Sequence, residues 1–405
     1  MRPQLDIQAH PASLSVAAGC AIAFIALAVA MGIGRFAFTP LLPLMVRDGS
    51  LAQSAGAWLA ASNYLGYLVG ALTVSRLGLS LAALMRVSLI GIAVVTAAMG
   101  VLDGLAEWIA LRFLAGVLSA WTLVATSAWA LQRLAQAGRA DLSGLVYAGV
   151  GIGITVAGLF CLGAAQPGVA ADQLWLELGA LAALSVAIPS LVLGRPSGAS
   201  ARSTGTATAD TSGPCTGLVI CYGLLGFGYI LPATFLPVLA REVVDDPQLF
   251  GLAWPIFGIA AALSTIVAAR LLARANRLRV WATSHLLMAT GVLLPSLWLA
   301  PETIAISALL VGSTFMVVTM IGMQEARARA PGNPTTLLGR MTAAFAIGQL
   351  AGPVVSGILD ILPGAHQVAV AQALQLAAFG LAMSAAYLWR LSRTNPSHFE
   401  PRRID

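Results

Sequence analysis

Apolar side chains run along this sequence in blocks of about twenty residues or more, broken at short intervals by Pro, Gly and charge clusters, and the blocks recur from Leu14 almost to the C-terminus. A helix rises 1.5 Å per residue, so about 20 residues cross a hydrocarbon core of about 30 Å. Lipid offers backbone groups no water, so uninterrupted apolar blocks predict spanning helices. The breaks predict twelve of them, near 14–46, 52–75, 81–101, 106–132, 143–164 and 173–193, then near 216–240, 248–271, 279–299, 303–325, 337–361 and 367–391. Between the two sets lies a polar stretch rich in Ser, Thr, Gly and Ala. The predicted organisation is a six-helix bundle over 1–194, a cytoplasmic linker over 195–215 and a second six-helix bundle over 216–405, an all-α membrane protein.

The two sets repeat one another. Segment 32–48 reads GIGRFAFTPLLPLMVRD and segment 226–242 reads GFGYILPATFLPVLARE. At one constant offset Gly32, Gly34, Leu42, Pro43 and Arg47 fall on Gly226, Gly228, Leu236, Pro237 and Arg241, and Arg76 falls on Arg270. Helices five and eleven share glycines at equal spacing, Gly149, Gly153 and Gly158 against Gly348, Gly352 and Gly357. Both first helices of the halves end on the same side, so the repeat is parallel, about an axis along the membrane normal.

Composition agrees: 59% of the 405 residues are hydrophobic and 9% charged, against roughly 25% charged in a soluble domain. Charge then sets orientation, since basic residues are retained on the cytoplasmic side. With both termini inside, nearly all arginines fall on cytoplasmic connectors, while the outer ones hold Arg47 and Arg241 and most of the acids. This predicts a multi-pass protein of a bacterial cytoplasmic (inner) membrane with both termini cytoplasmic. The net charge of +6 is spread over short connectors, which argues against a nucleic-acid partner. Cys20, Cys161, Cys215 and Cys221 form no CxxC pair, and there is no HExxH motif or buried carboxylate pair, so neither metal, cofactor nor enzymatic chemistry is predicted.

Two parallel six-helix repeats around a polar loop resemble the major facilitator superfamily over essentially the whole chain. Within it, GIGRFAFTPLLPLM at 32–45, YGLLGFGYILPATFLP at 222–237 and GQLAGPVVSG at 348–357 resemble the YbfB/YjiJ family of bacterial transporters. The resemblance implies a secondary transporter that works by alternating access, with membrane lipids around it and a monomeric state. The superfamily's charged latch after helix two is incomplete here: Arg76 and Gly78 fit, but Ser75 stands for the acid and the trailing basic pair is missing. Its RxxxG element in helix four falls on Arg112 and Gly116, and helix ten repeats only the glycine, as Gly312.

An ionisable group inside the hydrocarbon marks a cavity or pathway by default. Arg35, Arg112 and His285 qualify. Arg35 lies twelve residues before Arg47, about 18 Å along a helix, near mid-bilayer. It either binds an anionic or strongly polar substrate group through its planar fork or bonds helix carbonyls and holds helix one in place. Arg112 has Asp103 and Glu107 near enough to partner it, which favours structure or gating, and it also stays a candidate for the site. Asn63, Tyr64, Trp121, Tyr147, Tyr229 and Gln349 are further substrate-binding candidates, Tyr229 because it occupies the repeat position of Arg35. Gly32, Gly34, Pro43, Arg76, Gly226, Gly228, Pro237, Gly352 and Pro353 are candidates for gating or hinges, since Gly and Pro weaken the helical ladder; the alternative is close packing. No Asp or Glu falls near the middle of a predicted helix. Coupling then falls to Glu107, Glu325, His285 or the arginines, or else to a counter-anion. The predicted function is secondary transport of a small organic solute, anionic or polar, possible coupling being to a proton or counter-anion; the alternative is a sensor or scaffold that keeps the fold without transport.

Overall fold

The computed structural model describes residues 14–163, 169–193, 215–243, 247–361 and 369–394, without the side chains at 53–54, 237–238, 240–242, 247–251, 253 and 360–361. Twelve helices lie among the described residues, and no strand does: α1 Val16–Arg47, α2 Gln53–Thr73, α3 Leu81–Ala98, α4 Leu105–Gln136, α5 Ser143–Gly163 and α6 Ala171–Leu193, then α7 Thr216–Val243, α8 Pro247–Leu271, α9 Arg277–Leu297, α10 Pro301–Arg329, α11 Pro334–Ile361 and α12 Ala369–Thr394. Most of linker 195–215 lies outside the described residues.

Eleven of the helices are long and apolar enough to cross a membrane. The exception is α2, which at 21 residues is long enough but carries Ser62, Asn63, Tyr64 and Tyr67 toward the interior of the molecule. Elsewhere the apolar surface faces outward. On α6, Leu184, Ile188 and Leu191 follow helical spacing and are 76%, 72% and 71% exposed, a stripe that lipid covers. Helices α4 and α10 run past their predicted ends to Gln136 and Arg329, because the charged residues read as breaks continue the helix beyond the apolar core. Polar caps start several helices: the Ser15 and Ser80 hydroxyls accept from the backbone N–H of Ala18 and Ala83, and Asn276 accepts from Leu278.

The halves meet through glycine. A Cβ on Gly151 of α5 would lie 2.4 Å from the Gly258 carbonyl of α8, so only glycine lets these backbones touch. Within the N-terminal half, Gly32 of α1 lies against Gly153 of α5, where a Cβ would come within 2.3 Å of backbone carbon. At the end of the bundle that bears the termini, the Gln324 amide donates to the Ser143 hydroxyl at 2.7 Å across the halves, and Gly339 packs against the Ala71 carbonyl. These contacts close that end with neutral groups, in place of the charged latch whose residues are incomplete.

The repeat is broken in one place. Residues Ala28–Phe36 of α1 are π-helical, whereas α7 is regular α-helix through the equivalent stretch. Pro40 and Pro43 bring no N–H to α1, and a π segment shifts the remaining donors by one residue. Arg35 sits in this segment.

Candidate functional site

Arg35 enters the space between the halves and is 3% exposed. Its guanidinium carbon lies 3.8 Å from the centre of the Tyr67 ring and within 6 Å of Phe36, Tyr64 and Phe345, an aromatic box that favours a cation. Its Nη2 donates to the Gln349 Oε1 on α11, a bond between the halves. Its Nε and Nη1 have no partner.

Arg112, from α4, is spent differently. Its Nη1 donates to the Gly34 carbonyl at 3.1 Å and its Nη2 to the Arg35 carbonyl at 3.0 Å, so it satisfies the backbone oxygens of the irregular segment and fixes the level of Arg35. Asp103 and Glu107 do not partner it. Ser119, on the same helix, adds a bond from its hydroxyl to the Ala30 carbonyl. The Nε of Arg112 has no partner.

A cavity of about 40 Å³ opens beside the two arginines, lined from the N-terminal half by Arg35, Phe36, Phe38, Thr39, Ala60, Tyr64 and Arg112 and from the C-terminal half by Tyr229, Ile230, Ala233, Thr234 and Trp254. It has room for a few waters. Thr39, Ala60 and Thr234 lie about a helical turn from Arg35, Tyr64 and Tyr229 toward the end away from the termini, so the cavity points that way. Rings close it below. Tyr229 stacks on Phe315 at 4.6 Å, Phe315 on Phe257 at 5.8 Å, and Phe257 on Trp254 at 5.5 Å. The Trp254 Nε1 is buried without a partner, as is the Nε2 of Gln349. Among the residues lining the cavity the unpaired buried groups are N–H donors, with one unpaired acceptor, Asn63 Oδ1, behind Arg112, and the described ion pairs all lie at helix ends, at Asp48, Asp141 and Glu325.

Of the eight substrate-binding candidates, Arg35, Tyr64, Arg112 and Tyr229 line this cavity, and Gln349 touches it through Arg35. The other three are engaged elsewhere. The Asn63 amide donates to the Arg112 carbonyl at 2.9 Å, fastening α2 to α4; Trp121 donates to the Thr73 hydroxyl at 3.1 Å; Tyr147 donates to Ser127 at 2.8 Å. Among the hinge candidates, Gly32 and Gly34 lie in the π segment, and Gly34 packs on Ile92 and Ser119. Gly226 sits against the Phe345 carbonyl, Gly228 against Leu381 and Gly352 against Ile230, all as close packing. Pro43 and Pro353 lie within helices, Arg76 is exposed, and the Pro237 side chain lies outside the described residues.

His285 is wholly buried between α9 and α12, not lipid-facing. Trp281 donates to its Nε2 at 3.0 Å and its Nδ1 meets the Ser384 hydroxyl at 2.9 Å, so both ring nitrogens are occupied far from the arginines. Glu325 is held by Arg277 and Arg329. A second cavity, about 200 Å³, lies at the far end of the N-terminal half and is lined by Asp48, Asp103, Asp172, Trp108 and Trp175 among others. It is larger but carries the opposite charge and lies within one half.

Sequence reasoning missed Phe36, Phe38, Thr39, Ala60, Ile230, Ala233, Thr234 and Trp254. For all of these but Phe38 and Thr234 the repeat held the signal. The offset that carries Arg35 onto Tyr229 carries Phe36 onto Ile230, Thr39 onto Ala233 and Ala60 onto Trp254.

A family model described as that of the uncharacterised MFS-type transporter YbfB matches residues 27–388. The chain belongs to this YbfB-type transporter family. Among solved structures, the transporter shares its fold with the human organic anion transporter MFSD10 (TETRAN), at a TM-score of 0.65 and 18% identity, over 89% of this chain and 99% of that one. No curated protein sequence matches it. The family and fold make the chain a multi-pass membrane transporter and not an enzyme.

Proposed function

We propose that this transporter moves a small organic anion by alternating access, with the anionic group bound at Arg35. The observation that carries the reading is the set of unpaired buried donors: Arg35 Nε and Nη1, Arg112 Nε, Trp254 Nε1 and Gln349 Nε2. A buried donor without a partner costs about 1–3 kcal/mol and a buried charge more. A carboxylate supplies acceptors for several of these donors together with the missing negative charge. The name of MFSD10, an organic anion transporter of the same fold, supports the same class of cargo.

In this reading the halves over 1–194 and 216–405 rock about the site, joined by linker 195–215. The Arg35–Gln349 bond joins them, and an anion at Arg35 takes over the place of the Gln349 oxygen. The arginines at the end bearing the termini, among them Arg133, Arg139, Arg270 and Arg277, against the acids Asp48, Asp103 and Asp172 at the other end, favour a bacterial inner membrane with both termini cytoplasmic. The protein then works as a monomer among lipids. The positions of His285 and Glu325, away from the site, favour a counter-anion over a proton as coupling partner.

Purified protein in sealed vesicles tests the reading. Saturable uptake of a labelled carboxylate, lost in Arg35→Gln, is expected. No saturable flux across a panel of carboxylates, sulfonates and phosphates would overturn it.

A further inference from the structure

We infer that the preferred anion has a planar aromatic body, so that the N-terminal half reads its charge and the C-terminal half reads its ring. The inference rests on the anion reading above and goes beyond it by naming the class of cargo. Five of the twelve side chains lining the cavity are aromatic: Phe36, Phe38 and Tyr64 on one side, Tyr229 and Trp254 on the other. On the C-terminal side these are the exposed ends of one stack. Trp254 and Phe257 are inclined by only 9°, Phe257 and Phe315 by 24°, and Phe315 and Tyr229 by 18°. The stack turns along its length, to 41° between Tyr229 and Phe257, and Tyr229 and Trp254 at its ends present ring surface to a flat ligand.

The polar groups fix the direction of the ligand. Arg35 and Arg112 lie on the N-terminal side, while Trp254 combines a ring in the stack with an unpaired indole N–H. A carboxylate on the arginines puts a directly attached ring within the layer that Phe36 now fills, where its edge meets Trp254 at 6.2 Å and Phe315 at 6.3 Å. Phe36 thus lies edge-on in the layer such a ring would take. The cavity of about 40 Å³ holds no ring in this state, so the ligand enters as Phe36 and Trp254 part. The remaining lining residues, Thr39, Ala60, Ile230, Ala233 and Thr234, carry no charge, and the two threonines offer hydroxyls only.

Equilibrium binding to the purified full chain in nanodiscs tests this, using quenching of tryptophan fluorescence and ligand-induced thermal stabilisation with four probes. These are 2-naphthoate, benzoate, cyclohexanecarboxylate and benzylammonium. Benzoate is expected to bind about 3- to 10-fold tighter than cyclohexanecarboxylate, which matches it in charge and size but lacks the π face. Naphthoate should be tighter again, and benzylammonium silent. Trp254→Leu and Tyr229→Leu should each flatten that ladder, bringing the ratio of benzoate to cyclohexanecarboxylate affinity below about twofold, with monodispersity on size exclusion as the folding control. Equal binding of benzoate and cyclohexanecarboxylate by the unmodified protein overturns the aromatic class and leaves the anion reading standing. Binding of none of the three carboxylates, or of benzylammonium as well as benzoate, overturns the anion reading itself.

Discussion

Arg35 and Arg112 are both buried guanidiniums beside one cavity, yet their hydrogen bonds predict opposite responses to removal. Arg112 spends two N–H groups on the Gly34 and Arg35 carbonyls. Interhelical hydrogen bonds in membranes average about 0.6 kcal/mol and reach about 1.7, so Arg112→Met forfeits about 1–3 kcal/mol and takes the side-chain donor from two carbonyls of the π segment. Arg35 holds one bond, to Gln349, and a set of ring contacts that a methionine sulfur partly replaces. Removing either charge relieves desolvation, since both residues are 3% exposed, so the contrast between the two rests on their hydrogen bonds. At about 2 °C per kcal/mol for a chain of this size, Arg112→Met should lower the apparent Tm by about 2–6 °C, while Arg35→Met leaves it unchanged or raises it.

Scanning fluorimetry of the two variants in one detergent reads the stabilities, and benzoate titration reads the site. The expected pattern is a stable Arg35→Met that has lost binding and a destabilised Arg112→Met that binds with reduced affinity, because Arg35 sits at the wrong height. Arg112→Lys, which keeps the charge but reaches one carbonyl at a time, should fall between. The assignment of Arg112 to the backbone of α1 is refuted if Arg112→Met melts with the unmodified protein and loses binding as completely as Arg35→Met.

Further predictions follow from single contacts. Gln349→Glu hands Arg35 a permanent carboxylate, so it should raise the apparent Tm and weaken benzoate binding at least about 10-fold by calorimetry. Gly32→Ala drives a Cβ to within 2.3 Å of the Gly153 backbone, whereas at Gly357 nothing lies within 4 Å; monodisperse yield should collapse for the first substitution and survive Gly357→Ala. Asp48 accepts from Arg47 and from the Ala171 N–H at 2.7 Å, and the Arg47 hydrogen bond holds its carboxyl below the usual carboxylate range. That contribution is present above the unfolded value near pH 4 and lost as pH falls through the lower folded one. Hydrogen exchange at Ala171, corrected for the intrinsic rate, should therefore accelerate only below about pH 4, and Asp48→Asn should remove the dependence.

The spans were legible because lipid leaves the backbone no alternative to helix, and apolar length alone then locates them; α2 is the instructive case, found by its breaks although Asn63 and its tyrosines dilute its apolarity. The burial of Arg35 was legible from its place inside an apolar span. What it touches was not. Arg112 was matched by proximity in sequence to Asp103 and Glu107, but the carbonyls released in the π segment of α1 are nearer in space, and nothing local in α4 announces them. Asn63, Trp121 and Tyr147 read as cavity residues because polar groups in a span need a reason; the reason is a hydrogen bond to the next helix, a requirement that sequence cannot separate from a ligand contact. Trp254 escaped because an aromatic residue among apolar ones carries no signal of its own until the repeat register pairs it with Ala60.

The same register explains why the site is lopsided. The halves repeat Gly, Pro and Arg positions along α1 and α7, and both helices carry prolines that remove ladder donors, yet only α1 leaves regular α geometry. Part of the difference lies within the helices, since α7 has Thr234 at the position of Pro40, and part lies outside them. The α4 helix offers a guanidinium to the loosened carbonyls of α1, whereas α10 repeats the glycine as Gly312 without an arginine, so α7 keeps its regular hydrogen bonds. An irregular segment stabilised from outside can hold a charged side chain at a fixed level, and Arg35 stands there. A regular segment presents its neighbours as a packed face, and Tyr229 stacks on Phe315 there. The arginine of α4 that α10 lacks thus accompanies a lopsided cavity, with both arginines on one side and the ring stack on the other.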